Sequence, residues 1–225
     1  LVDHNLFLSN MSIWSMSQGG AFVHNLIGGR VSRVPELGRE TPWHPEHSTE
    51  IAGITSIRGG DERYFNNLFV RPSALRAAKG AIDYVRGVSD DADHECFANF
   101  VDGNHLMTRV PELVEVEDEY YLDVGSDHKP PKTVDPVTTE RLGATAVSKL
   151  YYKNFDGAYV HLDRDYLNQS RGPKTLIPGP FTPEIWQREL IKFSAAIRTT
   201  VTGTKLRCVT RPILEKATLT GRRAR

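Results

Sequence analysis

Asp3-His4-Asn5-Leu6-Phe7-Leu8, Val23-His24-Asn25-Leu26-Ile27, Phe65-Asn66-Asn67-Leu68-Phe69-Val70 and Phe97-Ala98-Asn99-Phe100-Val101 are the stretches that decide the fold. Each has an apolar or mixed lead-in, then Asn, then a short β-prone run. Asn5 and Asn25 are 20 residues apart; the intervals to Asn67 and then Asn99 are 42 and 32. A repeat with elastic spacing suits stacked coils, in which the strands keep register and the connections grow freely. Asn tolerates the left-handed backbone of a tight turn. Stacked Asn side chains can also bond from coil to coil, which satisfies buried amides. The expected fold is all-β: late coils of a right-handed parallel β-helix, then a small antiparallel β closing region. A β-sandwich with chance Asn turns is the alternative.

Outward from these repeats, residues 1–108 read as β-helix coils with an active-site loop. Residues 109–199 read as a C-terminal antiparallel β region with a short helix, and 200–225 as a tail. Alternating character over 109–121 predicts a strand or hairpin arm, and the Pro-rich stretch 128–136 predicts a loop. Ala144 to Tyr166 reads as two antiparallel strands joined at Asp156-Gly157. Pro178-Gly179-Pro180 is a stop, after which Thr182-Pro183 predicts a helix through Phe193.

Composition narrows the classes. The chain has 225 residues, 39% hydrophobic and 25% charged, which is ordinary for a globular protein. Formal net charge is zero, so binding to nucleic acid through phosphates is disfavoured. Acids gather at Asp90, Asp91, Asp93 and Glu95, and the stretch from Lys192 onward is basic; both read as solvated surface. No apolar run approaches the roughly 20 residues a membrane helix needs. Cys96 and Cys208 are too few for a disulfide framework. Leu1 begins inside a predicted strand, so the chain is expected to lack an N-terminal part. Secreted, periplasmic and cytoplasmic locations all stay open, as does oligomeric state.

The chemistry gathers in residues 3–63. Sugar sites combine aromatic faces for pyranose rings, His and Arg for hydroxyls, and two carboxyl groups for the glycosidic bond. Asp3, Glu50 and Asp61 are the candidate catalytic carboxylates. Asp3 is set against Val23, Phe65 and Phe97 in the repeat, where a carboxylate needs either a function or an exposed edge. Glu50 follows Ser48-Thr49, whose hydroxyls can simply hold a strand start. Asp61 follows Gly59-Gly60 and can be a turn residue. His4, Trp14, His24, Trp43, His44, His47 and Arg63 are the candidate substrate-binding residues. His4 and His24 can equally continue the Asn-flanking ladder, and either Trp can be core. His44 and His47 lack a third ligand on a regular element, so no metal is expected, and no cofactor.

The runs Ser17 to Leu26, Thr41-Pro42-Trp43-His44-Pro45-Glu46-His47-Ser48-Thr49-Glu50 and Gly59-Gly60-Asp61-Glu62-Arg63-Tyr64-Phe65-Asn66-Asn67, with Asp3 to Leu8, resemble the later coils of β-helix glycoside hydrolases. They are similar to the glycoside hydrolase family 120 β-xylosidases. Asp156-Gly157, Leu162 to Tyr166 and Gly179-Pro180-Phe181 are similar to the closing region of the same family. The resemblance implies a retaining exo-hydrolase of xylo-oligosaccharides, with an Asp nucleophile and a Glu acid/base. Asp3 or Asp61 would be the nucleophile and Glu50 the acid/base. A polysaccharide lyase and a non-catalytic carbohydrate-binding piece stay open, because one fold hosts several activities.

Overall fold

The structure, a computed structural model, describes residues 1–70, 96–116, 119–124, 131–186 and 190–192. The expected tail 200–225, the acids at 90–95 and Cys208 lie outside the described residues.

Four layers follow one another along the chain. The first holds β1 (Val2–Asp3), β2 (Leu6–Phe7) and β3 (Met11–Ser15). The second holds β4 (Ala21–Val23), β5 (Leu26–Ile27) and β6 (Arg30–Arg33). A hairpin of β7 (Glu36–Trp43) and β8 (Gly53–Ile57) then leaves the stack. The third layer holds β9 (Arg63–Phe65) and β10 (Leu68–Val70), the fourth β11 (Phe100–Asp102) and β12 (His105–Met107). Corresponding strands pair in parallel, in the orders β1-β4-β9-β11, β2-β5-β10-β12 and β3-β6.

The pleat sends alternate residues to opposite faces. Phe22 and Tyr64 face between the sheets, where their rings stack 5.1 Å apart and pack with Ile13, Ile27, Val31 and Phe69. Ala21, Val23 and Phe65 point outward onto Val137, Leu142 and Val160. Leu26, Leu68 and Met107 also point outward, onto Leu122, Ile177, Phe181 and Trp186. The C-terminal residues therefore seal two outer faces of the stack. Each fully buried Leu, Ile or Phe there stabilises by about 1.5–3 kcal/mol.

One corner of the stack is an asparagine ladder. The backbone N and Nδ2 of Asn5 donate to Asn25 Oδ1 (2.9 and 3.2 Å), and those of Asn25 to Asn67 Oδ1 (2.9 and 3.1 Å). Asn67 donates in the same way to Asn104 Oδ1 (2.7 and 3.1 Å). Each Asn follows a left-handed residue: His4, His24, Asn66 and Gly103, with φ of 55°, 53°, 56° and 66°. The fourth rung is thus Asn104, not Asn99 as the repeat suggested. The seat before each Asn must tolerate positive φ, which Gly103 does and Ala98 does poorly. Asn99 sits buried one corner earlier, its Oδ1 accepting from Glu62 N (3.1 Å). Asp3 is therefore in register with Val23, Phe65 and Asp102 rather than Phe97.

The C-terminal half departs from expectation in two places. The arm at 109–121 is a hairpin, β13 (Glu112–Val116) against β14 (Glu119–Asp123). Further on, β15 (Val137–Thr138) pairs with β16 (His161–Leu162) and leads into α1 (Thr139–Leu142). Between 144 and 170, however, the two expected strands are replaced by successive turns with single bridges, Ala144 to Tyr151, Lys153 to Tyr159 and Arg164 to Ser170. Side-chain bonds to backbone compete with ladder pairing there: Ser148, Asp156 and Asp165 each accept backbone N–H groups. The expected helix from Thr182 shortens to α2 (Pro183–Trp186), and β17 (Leu190–Lys192) pairs antiparallel with β14. Thr182 Oγ1 still accepts from Ile185 N (3.4 Å) at the helix start.

Candidate functional site

The structure divides the candidate residues into three groups. Asp3, His4 and His24 form the first. The His4 and His24 rings stack 5.3 Å apart, 15° from parallel. Arg171 Nη2 lies 2.9 Å from His4 Nε2. A guanidinium can only donate, so Nε2 accepts and Nδ1–H donates to Asp3 Oδ2 at 2.8 Å. His24 is fully buried, and burial together with the charge of Arg171 holds its pKa well below the ordinary value. Its Nδ1 has no hydrogen-bond partner. Arg171 also donates to Ile177 O and Gly179 O, and burial brings its pKa down to about 10. This group stands on an outer face under the C-terminal residues, with the Asp3 side chain still 35% exposed.

Asp61 and Arg63 form the second group. Gly59, Gly60 and Asp61 are three successive left-handed residues (φ 73°, 81° and 56°), and a Cβ at Gly60 would strike the backbone of Phe97. That turn aims Asp61 at Arg63 Nη1, 2.8 Å away, and at Ala146 N, 2.6 Å away. Arg63 also donates to Leu142 O and Ala144 O (2.8 and 2.7 Å), with its guanidinium 4.6 Å from the Phe100 ring and 5.4 Å from that of Tyr152. Tyr152 donates to Gly19 O (2.6 Å), and burial pushes its pKa up to about 12. Both members of the ion pair are sealed from solvent. Here the charges join the stack to the segment 142–152.

Trp43, His44, His47 and Glu50 form the third group, on the hairpin of β7 and β8. Trp43 pairs with Gly53, where any Cβ would meet its indole ring. His44 Nδ1 lies 2.9 Å from Glu50 O, and Ser48 Oγ accepts from Glu50 N (3.0 Å). The Glu50 side chain is exposed. His47 Nε2 lies 3.4 Å from Glu46 Oε1, and Glu46 is bridged to Lys153 at 3.0 Å. Trp14 belongs to none of the groups; it projects from β3 with 58% of its surface exposed.

Glu62 is the carboxylate that the sequence reading passed over. It points between the sheets, fully buried, accepting from Ser15 Oγ and from Tyr64 OH (2.5 Å). Burial raises its pKa, against the pull of those two hydroxyls. It stands just before β9 and in parity with Tyr64, two residues on, which was the signal that it faces inward.

An all-β protein of stacked parallel sheets, with a hairpin carrying a half-buried Trp and exposed His and Glu, is the class that fold and geometry define. No family model matches the chain, and no curated protein matches it. Among solved structures it is similar to XylC in complex with xylose, with a TM-score of 0.64 and 23% identity over 85% of this chain. The match covers 35% of XylC, so the chain spans about a third of that protein's length. At that identity the likeness shows a shared fold.

Proposed function

We propose that the chain belongs to a carbohydrate-active hydrolase of the right-handed parallel β-helix type, cleaving glycosidic bonds as a β-xylosidase-like exo-glycosidase. Residues 1–108 supply the coils and hairpin, and 109–199 close the outer faces. One observation carries the reading: the fold similarity extends over 85% of the chain to a protein solved with xylose. The hairpin supports it, because half-buried Trp43 and exposed His44 and Glu50 offer a ring, a hydroxyl partner and an acid in one segment.

Glu50 serves as acid/base, protonating the leaving-group oxygen and later activating water. Asp3, the more open of the two candidate aspartates and bonded to His4 at 2.8 Å, is the proposed nucleophile; it stands in a different group from Glu50, so each carboxylate is tested on its own. Asp61 holds Arg63 and the segment 142–152 in place. The test is release of chromophore from aryl β-xylosides and other aryl glycosides by the 225-residue protein and by Asp3→Asn, Glu50→Gln and Asp61→Asn. Turnover that falls at least about 100-fold in the first two variants supports the assignment. If no aryl glycoside is cleaved the reading fails, and a new unsaturated product from pectin would make the protein a lyase.

A further inference from the structure

The turns between 144 and 160 present a row of rings to solvent. Tyr152 points inward, its hydroxyl bonded to Gly19 O, and Val160 is buried against the stack. Their sequence neighbours Tyr151, Lys153 and Tyr159 are exposed. Tyr151 is 58% exposed and Tyr159 69%. Lys153 shares that outward face, because it pairs directly with Tyr159. Phe155 is 96% exposed at the tip of the same turn. The tip is braced by bonds from Gly157 N to Asn154 O, Asn154 N to Ala158 O and Ala158 N to Asp156 Oδ1, all 2.9–3.0 Å. A nearly bare Phe on a braced turn adds nothing to packing, and with Tyr151 and Tyr159 it makes a ring-rich surface.

The row is continuous with the hairpin. Lys153 Nζ reaches Glu46 Oε2 at 3.0 Å, so the strip runs directly into the segment bearing His44, His47 and Glu50. Lys153 is two residues from Tyr151, roughly 7 Å along the strand, and about 5 Å across from Tyr159. A strip of that extent exceeds one sugar ring. Hydrogen bonds from Lys153 hold the Glu46 carboxyl below its ordinary pKa, so the pair is ionised and the Lys charge is already matched. The strip thus carries ring faces and hydrogen-bonding groups without a spare cation.

We propose that Tyr151, Tyr159 and Phe155, with the Glu46–Lys153 pair, form a binding platform for a neutral polysaccharide chain, extending the sugar site of the hairpin. This rests on the glycosidase reading for its ligand class. The rings stack on pyranose faces, and the ion pair bonds hydroxyls.

Affinity electrophoresis through gels containing soluble xylan, with dextran and polygalacturonate gels for comparison, tests it on the full chain. The expected result is retardation in xylan that is about tenfold weaker in Tyr151→Ala/Tyr159→Ala/Phe155→Ala and unchanged in Leu167→Ala, an exposed apolar residue on another turn. Retardation that survives the triple variant, or that is stronger in polygalacturonate, overturns the platform. So does a shift of the triple variant to a smaller assembly in size-exclusion chromatography, which would make the strip a protein contact. Binding is read without turnover. Aryl-xyloside cleavage with no xylan retardation would therefore sink the platform alone, leaving the glycosidase reading standing.

Discussion

Arg63 Nη1 sits 2.8 Å from Asp61 Oδ1, with the two side chains 2% and 6% exposed. The pair lies at the seam between the parallel stack and the segment 142–152, and Arg63 spends its other donors on the carbonyls of Leu142 and Ala144. Removing one partner of a buried ion pair leaves an uncompensated charge, at a cost of about 3–5 kcal/mol. Arg63→Met should therefore destabilise by that amount, as read from urea unfolding. Asp61→Asn strands the Arg63 charge and sets an amide N–H against either Arg63 or Ala146 N, so it should cost a comparable amount. Equal, small effects of both would mean that the seam is held elsewhere.

The ladder makes a graded prediction. Asn25 and Asn67 each accept from the rung before and donate to the rung after, whereas Asn5 has a neighbour on one side and is exposed. Asn25→Ala or Asn67→Ala orphans buried groups in two layers and should cost roughly 2–3 kcal/mol; Asn5→Ala should cost under about 1 kcal/mol. Asn104→Ala should fall between them. Chemical denaturation of the four variants gives the ranking.

His24 and Glu62 set opposite pH dependences. The folded protein binds a proton at His24 less readily than the unfolded chain, so this contribution is full above pH 6.5 and is lost as pH falls below it. Glu62 is the reverse. Its folded pKa lies above the ordinary value of 4.5, so its contribution is full below pH 4.5 and is lost as pH rises through the raised value. The urea midpoint of Glu62→Gln, a mimic of the protonated acid, should lose that alkaline-side decline. A His24→Gln variant should lose the acid-side decline. Midpoints measured from pH 4 to pH 8 decide both.

Tyr152→Phe removes the hydroxyl that bonds Gly19 O (2.6 Å) and keeps the ring near Arg63. The expected loss is about 1 kcal/mol, with the xylan platform unaffected. Thermal melts and the retardation assay read the two parts separately.

Much of the stack was legible because the Asn signal is physical. A side chain that bonds its own copy one layer away must recur at one corner. It misled at Asn99 because an apolar–Ala–Asn run imitates the lead-in, while the true marker is the left-handed residue just before the Asn, which at Gly103 replaces His or Asn. β8 follows from the β-prone run Ile51 to Ile57, whereas β7 was hidden by Pro42 and the Pro-rich loop after it. Pro42 nevertheless pairs with Ile54, within the reach of an isolated two-stranded arm. Asp61 drew attention as a lone acid after two glycines; its partner Arg63 was visible, but not that 142–146 would fold over both. Glu62 hid in plain alternation, a charge at an inward position with nothing local to show its hydroxyl partners.

The unequal intervals between rungs have a consequence for descent. Each layer is indexed by one Asn and the residue before it, while the chain between rungs is free to lengthen. New chemistry can thus be spliced into the connections between rungs without re-founding the shape that carries it. Related proteins should diverge by whole inserts at these connections sooner than by drift at the corner.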